Sequence, residues 1–268
     1  MFSPFRVTLF GLALVGAVVP VVPVPDRLTG SGGEESASRQ PVLVELFTSE
    51  GCSSCPPADA LLARLDAMQP VADAQVIVLS EHVTYWNHDG WHDPFSLDAM
   101  TDRQKRYGDR FGLSDVYTPQ AVVDGASQVV GSNENALEQV VARAAASPKE
   151  ALSIVDAQWS GGLVHFAVRG GSGASDSKQT LIAALAEDSA QSSVARGENA
   201  GRNLRHVAVV RVMQEMAKGS EDGRALTLKE PAASQSNAQT TPMRLVVFLT
   251  DRHNGHVLAV AERTISRS

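Results

Sequence analysis

The sequence predicts an α/β domain followed by a β-rich, sandwich-like module, and three observations carry that expectation. An apolar, β-branched run, Val42-Leu43-Val44-Glu45-Leu46-Phe47, leads through a turn into Cys52-Ser53-Ser54-Cys55 and then into a helical pattern. A second apolar run at 75–79 follows that helix, as a parallel strand reached by a right-handed crossover would. Beyond Ser147-Pro148 helical periodicity stops, and about seven strand-like runs alternate with Gly/Ser/Asn-rich connections.

Taken in order, Arg6 is the only charge before an apolar run at 7–24 that contains Gly11, Gly16, Pro20 and Pro23. That pattern reads as an export signal or anchor over residues 1–25, with a cleaved signal favoured over a retained anchor. Residues 26–40, rich in Gly, Ser and Glu, form a flexible linker. The α/β domain spans 41–148 and the β-rich module 149–268. Pro56 and Pro57 sit at a helix start, where a missing N–H costs nothing, and Ala58, Leu61, Leu62, Leu65 and Met68 form its inner face. Ser96 is placed to cap a polar helix running to about residue 109. Thr118-Pro119 stands at a strand entrance, where a cis peptide is an option. Asp124-Gly125 signals a hairpin into Gln128-Val129-Val130. Asn133 caps a helix to about residue 146, with Ala136, Leu137, Val140, Val141 and Ala144 inward. The later runs fall at 152–159, 163–169, 180–187, 204–216, 225–229, 245–250 and 256–263, with 207–212 readable as a short helix instead.

Composition narrows the function classes. A net charge of −7 and the lack of a basic stripe argue against nucleic acid as a partner. No Walker loop, dinucleotide fingerprint or His-Glu-x-x-His stands in the chain. The chain's 2 cysteines both lie in the motif, where a purely structural bridge across so short a loop contributes only about 2 kcal/mol. A Cys-x-x-Cys at a helix N-terminus suits thiol chemistry, because exposed amide N–H groups and the helix dipole favour a thiolate. Cys52 is then the nucleophile and Cys55 the resolving thiol, exchanging disulfides with protein or small-molecule thiols and an unidentified redox partner. Export agrees with this, since disulfides persist in the periplasm or outside the cell.

The order strand–CxxC–helix–strand, Thr-Pro before a strand, hairpin and closing helix resembles the thioredoxin fold. The resemblance implies that Pro119 and Thr118 lie against the CxxC motif and shape the substrate site. It also implies a buried acid near Glu45 that moves the second cysteine's proton. More specifically, Glu45-Leu46-Phe47-Thr48-Ser49-Glu50-Gly51-Cys52-Ser53-Ser54-Cys55-Pro56-Pro57-Ala58-Asp59 is similar to an exported bacterial family catalogued as domain of unknown function 1223. His82-Val83-Thr84-Tyr85-Trp86, Gly90-Trp91-His92-Asp93-Pro94-Phe95, Tyr117-Thr118-Pro119-Gln120 and Arg196-Gly197-Glu198-Asn199-Ala200-Gly201-Arg202 carry the same resemblance. Ordinary thioredoxins have Gly-Pro between the cysteines, Trp before them and Lys after; Ser53-Ser54, Gly51 and Pro56 stand here instead, leaving the direction of electron flow open.

Two further expectations belong to other classes. Cys52, Cys55 and His82 together offer a copper or zinc site, the cofactor otherwise being none, although two thiols and one imidazole leave a tetrahedral site incomplete. Trp86 and Trp91, with Tyr85 and Phe95, could line a binding groove beside the thiols in a module without turnover. Arg196, Arg202, Arg205 and Arg211 read as a solvated face.

Overall fold

A run of Val, Leu and Phe with one carboxylate forms strand β1 (Gln40–Thr48), buried from Val42 onward. It is an interior strand of the main sheet in this computed structural model, which describes residues 1–4, 39–88, 90–171, 178–216, 223, 225–229 and 242–266. The expected export segment and most of the linker lie outside the described residues. Residues 37–268 form one compact unit, described below.

After β1 come α1 (Pro56–Met68) and β2 (Ala74–His82), which lies parallel to β1 with Gln40 opposite Ala74 and Thr48 opposite His82. Helix α2 (Asp98–Phe111) leads to β3 (Gln120–Val123), antiparallel to β1, and to β4 (Ser127–Val130). The β3–β4 connection, Asp124 to Ala126, has positive φ at both Asp124 and Gly125, and the Ala126 N–H donates to the Val123 carbonyl to close the turn. Helix α3 (Glu134–Ala145) begins at Asn133, whose side chain accepts the Ala136 N–H.

Two expectations about these helices are corrected. Met68 is 71% exposed, because α1 ends there and Gln69 turns left-handed. Ser96 does not cap α2: its hydroxyl donates to the Asp93 carbonyl, and Leu97 takes the cap position without a side-chain bond.

The second half adds β5 (Leu152–Ser160), β6 (Leu163–Gly170), β7 (Gln179–Ser193), β8 (Asn203–Glu215), β9 (Ala225–Lys229), β10 (Met243–Asp251) and β11 (Val257–Ile265). Residues 207–212 are strand, not helix. β7, β8, β10 and β11 do not stand apart from the first half. β8 runs parallel to β2, with Val209 opposite Ser80, giving one eight-stranded sheet in the order β11-β10-β7-β8-β2-β1-β3-β4. Among the described residues the remaining strands form a three-stranded sheet, β5-β6-β9.

The fold is mixed α/β, with a large mixed sheet and few helices. One apolar cluster runs from Val44, Leu62 and Val141 to Ala184, Val210, Phe248 and Val260, so 41–148 and 149–268 share a core across Ser147-Pro148. A second cluster, including Trp159, Phe166, Leu228, Leu185, Val247 and Ala259, joins the three-stranded sheet to β7, β10 and β11.

Candidate functional site

The turn after β1 folds on local bonds. Cys52 N–H donates to the Ser49 carbonyl, Cys55 N–H to the Cys52 carbonyl, and Ala58 and Asp59 N–H to the Cys55 carbonyl. Cys55 stands at the N-cap of α1. Cys52 and Cys55 are joined in a disulfide with Cα atoms 5.4 Å apart. Both cysteines are 0% exposed, although Ser53 and Ser54 between them face solvent.

The helix start offers Cys52 fewer donors than the motif suggests. Pro56 and Pro57 have no N–H, and the next two amides are spent on Cys55. The Ser54 hydroxyl, 3.3 Å from Cys52 Sγ, is a donor within reach.

Pro119 follows a cis Thr118–Pro119 peptide, and its carbonyl accepts the Gly131 N–H. A Cβ on Gly131 would sit 3.3 Å from both the Pro119 and the Ala58 Cβ, so this proline packs beside the first turn of α1. Trp86 connects the two places: its ring N–H donates to Thr118 Oγ1 at 2.7 Å, and its own Cβ closes on Gly51. Trp91 donates its ring N–H to Glu50. Tyr85 bonds Gln104, and Phe95 lies edge-on to His82 and His206. All four rings are half-buried and held by contacts within the fold.

Glu45 is corrected. Strand alternation turns Thr48 toward α1, where its hydroxyl donates to Asp59, and turns Glu45 to the opposite face, toward α2. Its carboxylate accepts from Arg103 Nε at 2.7 Å and from Tyr107 OH at 2.6 Å. Glu81 shares the same guanidinium at 3.5 Å. Burial, then the neighbouring Glu45 charge, pushes the Glu81 carboxyl well above its ordinary value, and burial likewise raises the Tyr107 phenol. Glu45 belongs to this buried network.

The acids nearest the motif are ones sequence reasoning left unassigned. Glu50 is fully buried and accepts from Trp91, from Ser192 Oγ and, at 3.1 Å, faces His206 Nε2. His206 Nδ1 lies 3.7 Å from Asp59. Burial alone would lower His206, but its contacts and charge pairing with Asp59 and Glu50 push it up to about 10. Asp93 accepts the Glu50 N–H and pairs with His82 Nδ1 at 2.7 Å. Burial would raise its carboxyl, yet the His82 charge, the His82 hydrogen bond and two amides hold it at about 2.

His82 thus turns one nitrogen to Asp93, and its ring meets His206 edge-on at 4.6 Å. With Cys52 and Cys55 it makes no three-ligand set; among the described residues no group of three or more His, Cys, Asp or Glu side chains is arranged to hold a metal ion. His88 and His92 are exposed.

The second half reaches the motif at the β7–β8 connection. Asn199 donates to the carbonyls of Glu50 at 2.8 Å and Cys52 at 3.0 Å, and Glu198 accepts the Ser53 N–H at 3.0 Å. Of the arginines expected on a solvated face, Arg196 and Arg205 are exposed, Arg202 bonds Asn199, and Arg211 lies over the Phe95 ring at 5.5 Å. The motif around 196–202 was legible as part of the family resemblance; its contact with Cys52, 147 positions away, had no local signal.

The family profile described as "Protein of unknown function (DUF1223)" matches residues 43–250, more than half of the chain. A crystal structure of a protein from Agrobacterium tumefaciens is similar with a TM-score of 0.60 at 24% identity, over 86% of this chain and 96% of that one. HBP35 of Porphyromonas gingivalis is similar with a TM-score of 0.53 at 12% identity, over 87% of this chain and 78% of that one. At these identities the likeness speaks to fold alone. No curated protein matches the chain.

Proposed function

We propose that this chain, which belongs to the DUF1223 family, is an exported thiol–disulfide oxidoreductase built on a thioredoxin-like α/β half. One observation carries the reading: a disulfide between Cys52 and Cys55 at the first turn of α1, beside a strand led by cis-Pro119. The order β1-α1-β2-α2-β3-β4-α3 supports the thioredoxin-like part. The apolar run at 7–24 and the oxidised pair both suit an oxidising compartment.

In the reducing direction a Cys52 thiolate attacks a substrate disulfide, forming a mixed disulfide and releasing one substrate thiolate. Cys55 then attacks Cys52 Sγ, closing the intramolecular bridge and releasing the second substrate thiolate. Oxidation of a substrate dithiol runs these steps in reverse, and each cycle moves two electrons. Equilibration with glutathione buffers and thiol trapping tests the proposal. Reversible two-electron titration between about −120 and −270 mV supports catalysis. A disulfide that resists reduction until the protein unfolds overturns it.

Full burial of both cysteines favours one second reading, a non-catalytic thioredoxin-like binding module in which the bridge is structural. The same titration decides between the two.

A further inference from the structure

The tip of the β7–β8 hairpin is ordered by its own bonds: Val194 N–H donates to the Arg202 carbonyl and Gly201 N–H to the Val194 carbonyl. Arg202 holds the Asn199 side-chain oxygen at 2.8 Å, which turns the Asn199 NH2 group onto the cysteine loop. That group spans the carbonyls on both sides of Gly51. Glu198, beside it, takes the Ser53 N–H.

The amides around the disulfide show what this costs Cys52. The Cys52, Cys55, Ala58 and Asp59 N–H groups donate to carbonyls within the turn, and two prolines donate nothing. The Ser53 N–H is given instead to a carboxylate from the other half of the chain. While Glu198 stays seated, a thiolate at Cys52 lacks that donor and has a negative charge close by, which disfavours it. The hairpin tip and Trp86 also hold the loop from two sides, consistent with the full burial of the two cysteines.

We infer that Glu198 and Asn199 are positioning residues of the thiol site, restraining Cys52 until the hairpin tip withdraws. The inference rests on the redox reading above and gives the second half of the chain a role in it. Withdrawal frees the Ser53 N–H for the thiolate, removes the adjacent carboxylate and opens the path to the disulfide.

The test uses the full chain in its oxidised form, with dithiothreitol as the reductant and alkylation to trap free thiols. E198A, E198Q and N199A are compared with the wild type. E198Q keeps an oxygen for the Ser53 amide and removes the charge, whereas E198A removes both. The expected reduction rates rise roughly threefold in E198Q and roughly tenfold in E198A and N199A at low salt. In a Cys55→Ser background, iodoacetamide should modify Cys52 faster with E198Q, and its pH–rate profile should move to lower pH. A purely structural role for Glu198 would leave that profile in place. Because Glu198 is exposed, E198A decides the matter if N199A fails to fold. Wild-type rates in folded E198A overturn this inference and leave the redox reading standing. A wild-type disulfide that dithiothreitol cannot reduce without denaturant removes the redox reading, and this inference with it.

Discussion

Replacing Arg103 by Met tests whether the buried network behind β1 is held by a single cation. Arg103 is 8% exposed and touches Glu45 at 2.7 Å, Glu81 at 3.5 Å and Tyr107 OH at 3.0 Å. Its guanidinium also lies over the Tyr107 and Phe248 rings at 5.1 and 5.5 Å. Met keeps much of the apolar stem but leaves two carboxylates facing each other in the core. Removing one partner of a buried pair costs about 3–5 kcal/mol. For a domain of this size, a loss of about 4 kcal/mol lowers the thermal midpoint by about 8–16 °C.

Urea unfolding of wild type and R103M at several pH values reads the effect. The Glu81 carboxyl is raised in the folded state, so the native protein keeps a proton that the unfolded chain releases. Its contribution is therefore complete below about pH 4.5 and is lost as pH rises toward the native value. Without Arg103 that slope steepens, and the deficit of R103M should shrink in acid. The double variant E81Q/R103M should recover part of the loss at pH 7. A deficit under about 1 kcal/mol, or one that does not vary with pH, refutes the reasoning.

Asp93→Asn should cost about 2 kcal/mol at neutral pH, from a carboxyl held at about 2 against 3.8. That stability is present above about pH 4 and vanishes as pH falls through 2, so acid unfolding of the variant should converge on the wild type. His206, raised to about 10, stabilises the fold fully below about pH 6.5 and progressively less up to pH 10; H206N should flatten that decline in denaturant titrations. Gly131→Ala would put a Cβ 2.6 Å from Leu46 Cδ1 and should cost about 1–3 kcal/mol by overpacking, read as a lower urea midpoint at unchanged slope.

The secondary elements were legible because local chemistry sets them. The Pro56-Pro57 pair, Asn133 and Asp124-Gly125 each fix a boundary through one backbone requirement, and the structure places each there. The surroundings of Glu45 were harder to read. Counting back from Cys52 finds the acid, but the two-residue period of β1 decides which face it takes, and that face holds Arg103. Glu50 and Asp59 went unassigned because a carboxylate in a turn or on a first helical turn usually meets water, and His206 because its partners lie about 150 residues earlier in the chain. Here each is buried through contacts between β1, α1 and β8 that no stretch of sequence contains. The division at Ser147-Pro148 marks a change of pattern but not of core, because the β2–β8 pairing joins positions 129 residues apart.

That pairing has a bearing on how the molecule is made. Val42 and Leu62 precede Val257 and Val260, which finish the same apolar cluster, by about 200 residues. Until β8 arrives, β2 keeps an open edge able to accept a stray strand, and the nascent cysteines wait without their Glu198–Asn199 cover. The bridge can therefore form before the hairpin seats, and docking of the hairpin would then cover an oxidation made earlier in folding.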